Sequence, residues 1–119
     1  MDYKFNLATI IAEDIEESIE FYRDVLGFEL IRKFYNESGG LCLMKSPDGA
    51  SIELIDSKAF PTGFWSLGME VDDFDAAIDD LKEKGMKFIY GPEDLPLGKL
   101  AGMEDPNGIK IMVLSLSEE

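Results

Sequence analysis

The chain repeats itself. Asp14 and Asp73, Pro47 and Pro106, Gly49 and Gly108, and Ile52 and Ile111 each stand 59 positions apart, while Gly27 and Gly85 stand 58 apart. A period this long means that one supersecondary unit occurs twice in tandem. Units of roughly 55 residues bury too little apolar surface to be stable alone, so the two copies are expected to share a core or to pair with another chain. The reading is therefore a single domain over 1–119, made of one module at about 1–58 and a second at about 63–117.

Within each copy the order of elements can be read from local chemistry. "LATIIAED" is rich in strand formers. Asp14 then has the position of a helix N-cap, with Glu17 in the capping-box place, and Ile15, Ile19, Tyr22, Val25 and Leu26 fall at helical spacing before Gly27. "FELIRKFYN", "GLCLMKS" and "SIELID" read as three strands, and Ser46-Pro47-Asp48-Gly49 carries the residues of a type I turn. The second copy runs through the strand "WSLGMEVDD" to a helix capped by Asp73, with apolar positions Phe74, Ala77, Ile78 and Leu81 and a stop at Gly85. "KFIYG" and "DPNGIKIMVLS" follow, separated by a Pro- and Gly-rich loop from Gly91 to Gly102 that is long enough to serve as a lid. Each copy is thus βαβββ.

Charge and composition narrow the function classes. With 25 acidic residues against 11 basic ones the net charge is −14, a field that repels phosphates and attracts cations. Nucleic acid is excluded as a partner. No apolar run is long enough to span a bilayer and no basic leader precedes one, which points to a cytoplasmic protein without a membrane partner. The single cysteine, Cys42, allows no internal disulfide and reads as a buried thiol. Histidine is absent, and with it the commonest general base and the commonest metal ligand. No glycine-rich phosphate loop, serine elbow or Cys/His pair supports phosphoryl or acyl transfer.

"EDIEESIEFYRDVLGFELI" followed by "SPDGASIELI", and "EVDDFDAAIDDLKEKGMKF" followed by "DPNGIKI", resemble the vicinal oxygen chelate superfamily of glyoxalases, extradiol dioxygenases and bleomycin-resistance proteins. The resemblance covers nearly the whole chain. It implies an α+β fold of tandem βαβββ modules, with mixed sheets curved around a cleft. In the metal-dependent members each module supplies a ligand from its first strand and one from its last. Carried onto this sequence, those positions are Leu7 and Ser66 on the first strands and Glu53 and Met112 on the last. Leucine has no donor atom, a serine hydroxyl is a weak ligand and a thioether suits soft metals, so Glu53 alone is a credible ligand. The expectation is a site with no metal and no cofactor.

Strand alternation extends the lining that these positions imply. Thr9 and Ile11 go with Leu7, Ser51 and Ile55 with Glu53, Gly68 and Glu70 with Ser66, and Lys110 and Leu114 with Met112. Ala8, Ile10, Ile52, Leu54, Leu67, Met69, Ile111 and Val113 fall on the opposite faces, under the helices. The expected ligand-binding set is Leu7, Thr9, Ser51, Glu53, Trp65, Ser66, Glu70, Lys110 and Met112. For Glu53 three roles stay open: an ion pair with Lys110, a ligand contact, or a catalytic base. Trp65 can stack on a flat or cationic ligand or pack the end of its strand. Tyr22 and Phe21 are expected in the core.

These observations favour a metal-free binding protein, similar to bleomycin-resistance proteins, that sequesters a small molecule, an antibiotic or metabolite, with a cation among the candidates, and that works as a homodimer. The alternative is a glyoxalase-like lyase or isomerase using Glu53 as base or as its sole retained metal ligand.

Overall fold

The computed structural model describes residues 2–36, 39–96 and 98–116. The elements follow the order β1 (Lys4–Ala12), α1 (Ile15–Glu20), β2 (Glu29–Asn36), β3 (Gly39–Lys45) and β4 (Ser51–Asp56). They continue with β5 (Gly63–Glu70), α2 (Phe74–Glu83), β6 (Tyr90–Leu95), β7 (Gly98–Glu104) and β8 (Lys110–Leu116). This is βαβββ written twice, the α+β class that the repeat implied. The chain divides into two compact units, one of residues 7–65 and one of residues 66–119 together with residues 1–6. In the second unit the Tyr3 hydroxyl donates to Asp80 at 2.6 Å and Lys4 lies 3.7 Å from Asp72, so the first residues of the chain group with the second copy.

In the first unit the strands lie in the order β2-β3-β4-β1, with β1 and β4 parallel and the remaining pairs antiparallel. Asp14 caps α1 by accepting the backbone N–H of Glu17 at 3.2 Å. Ile15 and Ile19 then pack on Cys42, Met44 and Leu54, with Ile10, Ile52, Leu30, Phe28 and Tyr22 around them. That places Ile10, Ile52 and Leu54 on the helix side, as alternation required. The helix departs from expectation at its end. Residues Phe21–Val25 form a π-helical turn, whose wider step carries side chains off the helical stripe. Val25 is left 66% exposed, Leu26 47% and Phe21 50%, so these three are not core residues, although Tyr22 is.

In the second unit the order is β5-β8-β7-β6, with β5 and β8 parallel. Asp73 accepts the backbone N–H of Ala76 at 3.0 Å, and Phe74, Ala77, Ile78 and Leu81 bury against Val71, Ala101 and Val113. The turns match across the copies. Gly49 N–H bonds Ser46 O at 2.9 Å and Gly108 N–H bonds Asp105 O at 3.0 Å, and both glycines hold positive φ, at 97° and 83°. A side chain at either position would be strained, which is why glycine closes both turns.

The stretch from Gly91 to Gly102 is not a loop. Its described residues form most of the antiparallel hairpin of β6 and β7, in place of the irregular loop expected there. Pro92 sits where the ladder shifts between Tyr90 and Glu93, on an edge strand. A proline is tolerated there because no neighbouring strand needs its missing N–H. Among the described residues, no helix is long and apolar enough to cross a membrane.

Candidate functional site

The parallel registers place the expected site residues row by row. In the first unit Leu7 lies opposite Ser51, Thr9 opposite Glu53 and Ile11 opposite Ile55. In the second, Ser66 lies opposite Lys110, Gly68 opposite Met112 and Glu70 opposite Leu114. Each pair in the second set is its counterpart in the first moved by 59, so the duplication extends to the pairing of strands. Glu53 and Met112 are indeed equivalent. The residue beside Glu53 is Thr9, however, and Leu7 stands one row away.

Thr9 is buried at 4% exposure, and its hydroxyl donates to Glu53 Oε1 at 2.9 Å. Burial pushes the Glu53 carboxyl above the usual carboxylate range, and the Thr9 hydrogen bond opposes that shift. A half-buried carboxyl with raised proton affinity, on an otherwise mostly apolar strand pair, can accept a hydrogen bond from a ligand or hold its proton.

The sheet adds residues that the sequence reading passed over. Leu43 of β3 pairs with Glu53, and Arg32 of β2 pairs with Leu43, so one row runs Thr9, Glu53, Leu43, Arg32. The next row is Ile11, Ile55, Leu41, Phe34. Cys42 and Met44 are fully buried on the helix side, so the alternation of "GLCLMK" already put Leu41 and Leu43 on the Glu53 side. Arg32 was not so legible, because the β2 ladder shifts register between Leu30 and Arg32.

In the second unit Ser66 is buried at 3% exposure, and Glu70 and Lys110 are half-buried. Met112 lies over Gly102, where an added Cβ would come within 2.9 Å of its sulfur. Trp65, in the first unit, packs in a tilted contact with Phe60 at a centroid distance of 4.4 Å. Among the described residues no group of three or more His, Cys, Asp or Glu side chains is placed to hold a metal ion. The Thr9–Glu53 pair has Gly68 and Met112 as its counterparts, neither of which brings a hard oxygen donor from its side chain, so these residues do not fit the divalent cation of the superfamily's metalloenzymes. An open groove of about 790 Å³ in the first unit is lined by the end of β1, the start of α1, Phe21, Tyr22 and Thr62; of the expected lining it includes Ile11, and it includes none of the expected ligand-binding set.

Known proteins agree with this fold. Residues 4–113 match the family profile described as Glyoxalase/Bleomycin resistance protein/Dioxygenase superfamily. A probable lactoylglutathione lyase of Synechocystis sp. is 32% identical over 128 residues, covering 97% of this chain and 98% of that protein. The lactoylglutathione lyase of Haemophilus influenzae is 32% identical over 110 residues, covering 82% of each chain. In architecture the chain is similar to methylmalonyl-CoA epimerase from Mycobacterium tuberculosis, with a TM-score of 0.80 at 21% identity over 97% of this chain and 89% of that one. Duplicated βαβββ units, their matched registers and the profile over nearly the whole length lead to one assignment: this chain belongs to the glyoxalase/bleomycin resistance protein/dioxygenase superfamily.

Proposed function

We propose that the protein binds a small molecule on the Glu53 face of its first unit without a metal ion. One observation carries this reading. Glu53 is held by Thr9, while the same pair in the second copy is Gly68 and Met112. The duplication thus retains one polar anchor where a hard cation would need several oxygen ligands. A carboxyl of this kind suits a ligand that brings a proton donor, and the net charge of −14 favours a cationic one such as an ammonium. Pairing into a homodimer belongs to the same reading, supported by large apolar side chains left exposed at Phe5, Phe64, Ile89 and Leu116.

A second reading is favoured by the raised proton affinity of Glu53 and by the lyase names of the relatives. In it Glu53 is the base of a lyase or isomerase, taking a proton from the bound substrate and returning it. Native mass spectrometry of protein purified without chelator tests the first reading: a dimer free of metal and carrying an organic adduct supports it. A stoichiometric divalent ion sinks it. Turnover of a substrate that is lost in Glu53→Gln would favour the second.

A further inference from the structure

The register shift in β2 has a consequence for the ligand. A regular ladder from Leu30 onward would set Ile31 opposite Leu43 and Arg32 opposite Cys42, on the side that α1 covers. Instead Ile31 is the extra residue of a β-bulge, and Arg32 takes the place opposite Leu43. The residues that follow confirm the inversion. Lys33 pairs with Cys42 and reaches Glu16 of α1, Tyr35 reaches the same carboxylate, and Phe34 pairs with Leu41 on the other side. The bulge thus sends one cation, Arg32, to the Glu53 face and the next, Lys33, to the helix.

On that face Arg32 is exposed, and it forms no ion pair with another described residue, although the chain carries 25 carboxylates and Lys33, its neighbour, finds Glu16. Between Arg32 and Glu53 lies only Leu43. Two strand spacings, roughly 10 Å, separate the backbones that carry the two charged groups. The row therefore offers a planar donor fork, an apolar floor and a half-buried acceptor, in that order. Leu41 and Phe34 widen the floor in the next row.

We infer that Arg32 is the second anchor of this face, and that its ligand is a zwitterion whose carboxylate meets Arg32 while its ammonium meets Glu53. A guanidinium matches a carboxylate in a bidentate fork, and Leu43 supports the carbon chain between the two ends. The inference rests on the proposed binding role of Glu53 and adds the anionic end to it.

Three probes separate the two claims: 6-aminohexanoate, which carries both charges, hexanoate, which carries only the anion, and hexylammonium, which carries only the cation. Each is titrated into isotope-labelled protein, with the Arg32 Nε–H and the Glu53 carboxyl carbon followed by NMR. The wild type should bind 6-aminohexanoate more tightly than either single-charge probe. Arg32→Gln, a change at an exposed position, should weaken 6-aminohexanoate and hexanoate about tenfold and leave hexylammonium unchanged. Glu53→Gln should weaken 6-aminohexanoate and hexylammonium and spare hexanoate. If Arg32→Gln leaves all three affinities as they were while Glu53→Gln weakens the amines, the inference is wrong and the Glu53 reading stands. If Arg32→Gln weakens the anions and Glu53→Gln does nothing, the anionic anchor survives and the zwitterion does not. No saturable shift with any probe overturns both.

Discussion

Thr9 Oγ1 donates a hydrogen bond to Glu53 Oε1 at 2.9 Å, across the parallel pair of β1 and β4. That bond engages Oε1 of the carboxyl. Thr9 therefore both fixes the orientation of the carboxyl and restrains the upward pull of burial on its proton affinity.

Thr9→Val keeps the shape of the side chain and removes the donor. The Glu53 carboxyl should then titrate at higher pH than in the wild type, and Thr9→Ser should restore the original titration. Carboxyl carbon shifts followed by NMR across the acid range read this directly. An unchanged titration in Thr9→Val would show that the hydroxyl has no hold on the ionised form.

The same carboxyl makes stability depend on pH with a definite sign. Its folded-state pKa lies above the unfolded value of about 4.3, so between the two the folded protein binds more protons and stability falls as pH rises. Its contribution is fully present below the unfolded value and is lost as pH climbs through the folded one. Glu53→Gln cannot titrate. Its melting temperature should exceed that of the wild type at neutral pH, and the difference should shrink towards acid.

Removal of metal should have no effect. Because these residues offer a divalent cation one carboxylate in the Thr9–Glu53 pair and none in its repeat, prolonged treatment with chelator should leave the melting temperature unchanged, as should added Zn²⁺ or Ni²⁺ at stoichiometric amounts. Calorimetry with and without chelator decides it.

The two sides of the first sheet should differ in their tolerance. Leu54 is fully buried under α1, and Leu54→Ala should cost about 3 kcal/mol in urea unfolding. Leu43 is half-buried on the Glu53 side, and Leu43→Ala should cost less than half as much. Equal losses would mean that the Glu53 side is as tightly packed as the core.

The second helix depends on its cap. Asp73→Ala removes the acceptor of the Ala76 N–H and should destabilise the protein by about 1 kcal/mol, with Asp73→Asn losing less. A shift of the urea midpoint without a change of slope is the expected signature.

Much of this was legible before folding. The period of 59, the capping aspartates, the turn glycines and the buried faces of Ile52, Leu54 and Val113 all follow from local chemistry: a cap needs its acid one residue before the helix, and a strand buries every second side chain. Glu53 and its counterpart Met112 were likewise fixed by counting. Only the tertiary structure decided that Thr9 is the partner of Glu53, that the stretch from Gly91 to Gly102 is built on a hairpin, and that Arg32 shares the Glu53 face. Alternation says which residues of one strand lie together, but it is blind to the register between strands. Register is set by cross-strand hydrogen bonds, and a single extra residue such as Ile31 inverts every side chain beyond it.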